Sequence, residues 1–297
     1  MNIYDCFMYF DEDLLLDLRL NVLNKYVSKF VITEATYTHN GSKKELKFDM
    51  NNFKKFKDKI EYIVVDSLPP NILQINSDDS LEKKEQKIIL NGYARDNHQR
   101  NSLIDGIVEA KDNDIIIVSD LDEIPNLTNF NFKNINNKII QFKQKMFYYK
   151  LNLCYPEFDW FGSKACKKKD LISPQWLRNI KSKKYSKLRL DLIFNNKKYN
   201  DVFFVLDGGW HFTCIRTPED LEYKLLNFAH HYEFEQSGLD VKELKKLISE
   251  KKIMYDHKLD QESSEKWGGK NKLEKISISK LPEYISQNIG TYSNWLD

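Results

Sequence analysis

The sequence predicts an α/β fold with a largely parallel central sheet and helices on both faces. Three observations lead there. Short β-rich runs alternate with segments of helical apolar spacing through the first 125 residues. Several of those runs stop at acids, Glu34, Asp66, Asp120 and Asp122, which places carboxylates at the carboxyl ends of strands, where open parallel sheets gather their ligands. The 297 residues can bury a substantial core, and no Pro/Gly/Ser-rich linker divides them. A single domain over residues 1–297 is therefore expected, with a first half (1–125) and a second half of different texture (126–297).

The elements follow in order. "NIYDCFMYF" reads as a first strand, and Leu14, Leu15, Leu18 and Leu23 in the next segment stand near helical spacing. "KFVITEATYT" is a second strand ending in polar residues from Glu34 on. "KIEYIVVDSLPPN" is a third, closed by Asp66 and the Pro69-Pro70 pair. Residues 71–92 are polar and read as a surface segment or a poorly patterned helix. Leu103, Ile104, Ile107 and Val108 then share one face, predicting a helix that feeds the strand "IIIVSD". In the second half, "NDVFFVLDGGWHFTCI" is a strand broken at Gly208-Gly209. Thr217 as N-cap, Pro218 behind it and two acids in the first turn open another helix.

Composition excludes several classes of partner. The 46 Lys and Arg nearly balance 44 Asp and Glu, so the net charge of +2 gives no general pull toward nucleic acid or membrane. The N-terminus lacks a basic n-region before an apolar core, and no run approaches the ~20 apolar residues of a membrane span. A cytoplasmic, soluble protein without a transmembrane segment is expected, with peripheral membrane contact through surface lysines left open. Cys6, Cys154, Cys166 and Cys214 show no metal-type spacing and read as reduced, buried thiols.

The sharpest chemical signal is "SDLDEIP". Two carboxylates one residue apart at a strand end, Asp120 and Asp122, can share a hard divalent ion such as Mg²⁺ or Mn²⁺, although a turn capped by acids would use the same residues. Upstream, "RDNHQRN" concentrates Arg95, Arg100 and Asn101, and arginine's planar fork suits phosphate. Downstream, "LDGGWHF" sets Asp207, Trp210 and His211 around a glycine pair. Glycines admit close backbone approach, the indole offers a flat face for a sugar ring, and His211 is a candidate third metal ligand or a hydrogen-bonded core residue. His230 and His231 read as structural helix residues.

With these pieces in order, the chain resembles glycosyltransferase family 17. The resemblance rests on "IYDCFMYFDEDLLLDLRLNVL", "FVITEATYTHNG", "RDNHQRNSL", "DIIIVSDLDEIP", "GGWHFTCIRTPEDLEYKLLNFAH" and "LPEYISQN", collinear over almost the whole chain. It implies a GT-A type nucleotide-sugar-binding fold, in which residues 1–125 form the nucleotide-sugar half and residues 126–297 the acceptor side. It also implies an inverting reaction, a UDP-GlcNAc donor, a glycan acceptor and a divalent metal. By position, Asp120 and Asp122 match the D-x-D, Arg95, Arg100 and Asn101 the donor-side motif, and Trp210 and His211 the G-W-H motif. Asp120, Asp122 and His211 are the expected metal ligands. Glu34, Arg95, Arg100, Asn101, Asp120 and Trp210 are the expected donor contacts, and Asp207 and Glu123 the candidate bases. Without an anchor segment in view, a cytosolic or membrane-surface glycan is the expected acceptor. Two rivals stand beside this reading. One is a haloacid dehalogenase-type phosphatase with Asp120 as nucleophile, and the other a non-catalytic carbohydrate-binding protein on a transferase fold.

Overall fold

A computed structural model describes residues 1–186, 195–228, 231–257, 266–269 and 271–297. It is mixed α/β, with two mixed sheets where one largely parallel sheet was expected. The first sheet runs β10-β6-β9-β4-β1-β2-β3. At its centre β1 (Ile3–Met8) pairs in parallel with β2 (Lys29–Ala35) and with β4 (Ile115–Asp120), and β2 pairs in parallel with β3 (Ile60–Val65). Beyond β4, the strand β9 (Lys164–Lys167) is antiparallel to both β4 and β6 (Ile139–Phe142), and β10 (Val202–Val205) continues parallel to β6.

β4 is buried on both sides, which is why its sequence reads as an unbroken β-branched run rather than an alternating one. Ile115 and Ile117 join one core with Phe7, Phe30 and the α1 (Asp13–Leu23) residues Leu15, Leu16 and Leu18. Ile116 and Val118 join another with Cys6, Val31, Leu103, Ile107 and Leu177 of α3 (Pro174–Asn179). All four cysteines are free and buried.

The segment before β4 differs from expectation. Of the two readings of residues 71–92, a surface segment or a poorly patterned helix, the helix holds from residue 81, as α2 (Leu81–Asn101), capped at its start by Ser80. The apolar quartet lies beyond it, three of its members in a 3-10 turn, Ser102–Ile107. The tighter winding turns Leu103 and Ile107 inward and leaves Val108 76% exposed.

The second sheet, β12-β8-β7-β11-β5, was not foreseen. It comprises β5 (Glu123–Pro125), β7 (Gln144–Tyr148), β8 (Leu153–Trp160), β11 (Gly209–Thr213) and β12 (Glu274–Lys275). Met146, Tyr148 and Leu153 pack there against Leu221 and Leu225 of α4 (Pro218–Asn227) and Leu244 and Leu247 of α6 (Val241–Ser249). The sheets do not divide at residue 125, because β5 belongs to the second sheet while β6, β9 and β10 complete the first. Two parallel chains cross between sheets side by side, β6 into β7 at Lys143 and β10 into β11 at Leu206–Gly208. They are tied by Lys143 N–H to Val205 O at 2.9 Å and Gly208 N–H to Lys143 O at 2.8 Å.

That crossing explains the glycine pair. A Cβ on Gly208 would lie 2.5 Å from the Lys143 nitrogen, and Gly209, at φ +118°, would set one 2.2 Å from the Ile124 carbonyl. The glycines serve chain against chain, not chain against ligand. Thr217 caps α4 as its sequence announces, its hydroxyl accepting from the Asp220 N–H at 3.2 Å. No helix among the described residues is long and apolar enough to cross a membrane.

Candidate active site

The acidic turn leaves β4 at Asp120 and re-enters a strand at Glu123, so Leu121 and Asp122 form its tip. Its backbone is fixed from below by Arg19 of α1. The guanidinium grips Asp5 of β1 through Nε at 2.8 Å and Nη2 at 2.6 Å, and its Nη1 donates to the carbonyls of Asp120, Leu121 and Glu123 at 3.0, 3.1 and 2.7 Å. Both side chains are fully buried, so every donor must find an acceptor. The signal for this pair was present in the sequence: Asp5 interrupts an apolar strand and Arg19 an apolar helix face, and buried charges come paired.

The side chains of the turn meet different fates. Asp120 accepts from Arg100 Nη2 at 2.9 Å and from Arg178 Nη2 at 2.6 Å, one guanidinium on each oxygen. Burial alone would raise its carboxyl, but the two arginines outweigh that and hold it well below the usual carboxylate range. Glu123 has no exposed surface. It accepts from Arg178 at 2.8 and 2.9 Å, the Trp160 indole at 2.5 Å and the Asp120 N–H at 2.8 Å. Gly162 makes room for it, because a Cβ there would stand 2.1 Å from the Glu123 carboxyl carbon. Arg178 is aimed by α3, whose final carbonyls are capped from β9 by Lys164, with Nζ 2.7 Å from Arg178 O. Burial pushes that amine down to about 7.

Asp122 is the loosely held member, although its side chain is 13% exposed against 35% for Asp120. Its carboxylate lies 3.6 Å from His211 Nε2 and 4.0 Å from Lys224 Nζ. The β5–β11 pairing sets His211 opposite Glu123, and Phe212 N–H donates to Asp122 O at 2.8 Å, which brings histidine and aspartate to the same corner. Lys224 is also 3.0 Å from Glu12, which Arg216 approaches at 3.0 Å. Burial works against the Glu12 charge, but Lys224 and Arg216 prevail and hold the carboxyl well below its ordinary range. Among the described residues no three His, Cys, Asp or Glu side chains converge as a metal cage. Asp122 with His211 is a two-ligand set, the number suited to an ion that also takes waters and a substrate phosphate. His211 Nδ1 is buried without a partner, so the ring lacks the supporting acceptor that metal-bound histidines use. Asp120 already accepts a guanidinium on each oxygen, so as a third ligand it would share those oxygens with Arg100 and Arg178.

These groups line one cleft of roughly 860 Å³ at the carboxyl ends of β1, β2 and β4. Of the residues expected from sequence, Arg100, Asp120, Asp122, Glu123 and His211 are brought together there. Others are not. Trp210 faces away, since strand alternation that turns His211 inward turns its neighbour outward, and its indole donates to Lys280 O at 2.9 Å. Asp207 is exposed at the inter-sheet crossing, 3.4 Å from Asn126 Nδ2. Glu34 is fully buried against Lys44, the N–H groups of Lys47 and Phe48, and the Tyr62 hydroxyl, so it anchors the loop after β2. Arg95 holds that loop through His39 O at 3.1 Å, and Asn101 accepts from the Gln175 N–H at 3.0 Å at the start of α3. His231 begins α5 (His231–Ser237) and bonds Phe228 O at 3.0 Å, as a structural histidine would, while His230 lies outside the described residues.

Arg178, Trp160, Glu12 and Lys224 line the cleft and were not foreseen. Ser173 before Pro174 announced the helix that carries Arg178, but nothing local linked it to a turn 55 residues away.

No curated protein matches this chain. The model of glycosyltransferase family 17 matches residues 1–296. With an acid-and-arginine cleft at the strand ends and a match over nearly its whole length, the chain belongs to glycosyltransferase family 17, whose members transfer sugars.

Proposed function

We propose that the protein is an inverting, metal-dependent transferase of the GT-A type, moving GlcNAc from UDP-GlcNAc onto a glycan acceptor. The observation that carries this reading is the convergence of Arg100, Arg178 and Lys224 on the acidic turn inside one cleft. Residues 1–125 supply the strand ends of the donor side and residues 126–297 most of the opposite wall. Asp122 and His211 would hold a divalent cation, Mn²⁺ or Mg²⁺, which when bound neutralises charge on a departing diphosphate.

The protein's own groups do the remaining work. Arg100 and Arg178 are fixed by Asp120, and Lys224 by Glu12, before any ligand arrives. Cations held in place need little reorganisation as negative charge grows on the leaving group. A donor phosphate competes with Asp120 for the arginine forks, so Asp120 acts on the donor by positioning them. Direct displacement also needs a base on the far side of the sugar. Of the two candidates, Glu123 lines the cleft with its carboxylate held by Arg178, Trp160 and the Asp120 N–H, and Asp207 stands outside it, so Glu123 is the nearer acceptor for that proton. The phosphatase rival requires Asp120 as a free nucleophile, and its two oxygens are occupied.

The test is release of UDP from UDP-GlcNAc by the purified chain with Mn²⁺. Release that EDTA abolishes is expected. Cleavage of p-nitrophenyl phosphate, lost in Asp120→Asn, with no turnover of any nucleotide sugar, would overturn the reading.

A further inference from the structure

The side of the cleft that runs from Trp160 to Trp267 is built differently. Five rings follow one another along it. Trp160 lies against His211 with centroids 5.1 Å apart and planes 28° from parallel, and His257 meets Trp160 edge-on at 5.5 Å. Tyr255 meets His257 at 4.7 Å, and Trp267 meets Tyr255 at 5.0 Å. All five line the same cleft, with Tyr148 and Met254 behind them. Arg178 and the acidic turn meet this row at its Trp160–His211 end, the Arg178 guanidinium 5.9 Å from the Trp160 ring centroid and Asp122 3.6 Å from His211. Among the described residues, the stretch from Met254 to Trp267 contributes no charged side chain to the cleft.

We propose that this wall is an acceptor subsite that takes a neutral pyranose ring by stacking, an inference resting on the transferase reading above. An aromatic face is electron-rich and apolar, so it accepts the C–H face of a sugar, while the hydroxyl rim needs polar partners at the ring edges. Those partners are at hand. His257 Nε2 is 2.8 Å from the Tyr148 hydroxyl, and the Trp267 indole N–H is buried without a hydrogen-bond partner. A diphosphate gains less at the outer rings, because Lys266, whose ammonium lies 5.8 Å from the Tyr255 ring centroid, is already paired with Glu233 at 2.7 Å. The wall is also fixed relative to the chemistry. Trp160 donates its N–H to Glu123 at 2.5 Å while its ring stacks on His211, so one side chain joins the aromatic row to the acidic turn. A sugar stacked on Tyr255 and Trp267 would sit at the end of the row away from the acidic turn, with Trp160 and His211 between it and the carboxylates.

Saturation-transfer NMR with a panel of neutral methyl glycosides and disaccharides, run in parallel with calorimetry of UDP and Mn²⁺, tests this. Transfer to the ring C–H protons of at least one neutral sugar is expected. The signal should weaken about tenfold in Trp267→Ala and in Tyr255→Ala, and recover in Trp267→Phe, with UDP affinity unchanged throughout. Wild-type UDP binding with no transfer to any neutral sugar would overturn the subsite and leave the transferase reading standing. Sugar transfer that the aromatic substitutions do not diminish would overturn it as well. Sugar binding that depends on Trp267 with no UDP binding would remove the transferase reading and the acceptor role with it, leaving the wall a sugar-binding site of another kind.

Discussion

Asp120 and Asp122 stand two residues apart on one turn, yet the fold treats them as opposites. Asp120 has a guanidinium on each oxygen, and its neighbour Glu123 is enclosed by Arg178, Trp160 and a backbone N–H. Among the described residues, the Asp122 carboxylate has only His211 at 3.6 Å and Lys224 at 4.0 Å as charged partners. Sequence alone makes Asp120 and Asp122 look like one chelating pair, with Glu123 beside it a candidate base. The structure separates a locked side, which holds two arginines in position, from a loosely held side, where His211 and Lys224 stand beyond hydrogen-bond distance. A carboxylate whose oxygens are already satisfied gains little from a new partner, whereas one that is under-coordinated gains much.

The largest expected effect breaks both sides together. Arg19→Met leaves Asp5 as an unpaired buried charge and strips three turn carbonyls of their donor, at a cost of about 3–5 kcal/mol by urea denaturation. Adding Asp5→Leu should recover part of that stability, since the uncompensated charge is then gone, but not the activity. A double variant as unstable as the single one would show that the carbonyl contacts, not the ion pair, dominate.

Next comes pH. Asp120 and Glu12 are both held below their unfolded values, near ~3.9 and ~4.3. Their stabilisation is therefore complete above about pH 4 to 5 and is lost as pH falls through and below that range, where the unfolded chain binds more protons. Melting temperature should drop steeply in acid, and Asp120→Asn with Glu12→Gln should flatten the drop. An equal slope in that double variant would place the acid sensitivity elsewhere.

The smallest effect sharpens the contrast from outside. Trp210→Phe should leave UDP affinity unchanged, because the indole faces Lys280 and the core rather than the cleft. A tenfold loss would mean that Trp210 reaches the donor.

What was legible in the sequence was what is local. β1, α1, β2, β3, β4 and the Thr217 cap follow from spacing and capping chemistry within a few residues. The broken strand at Gly208-Gly209 was legible too, although its reason is the crossing between sheets and not a ligand. Trp210 and His211 could have been separated by the two-residue alternation of a strand, which puts neighbours on opposite faces. Arg178, Trp160 and the second sheet were out of reach. Arg178 and Trp160 act on Glu123 from 55 and 37 residues away, and their local sequence carries no mark of that partner. The polar face of α2 left two readings open for a similar reason: few of its side chains are buried, so its apolar pattern is weak where its capping is sound.

The most direct test compares Asp120→Asn with Asp122→Asn, reading melting temperature and Mn²⁺-dependent UDP affinity on each. A locked and a loosely held carboxylate should give crossed results, with Asp120→Asn lowering the melting temperature and Asp122→Asn leaving it in place while removing the Mn²⁺-dependent share of UDP binding. Unchanged UDP affinity in Asp122→Asn, or an equal loss of stability in both variants, would contradict the division of the turn into two sides.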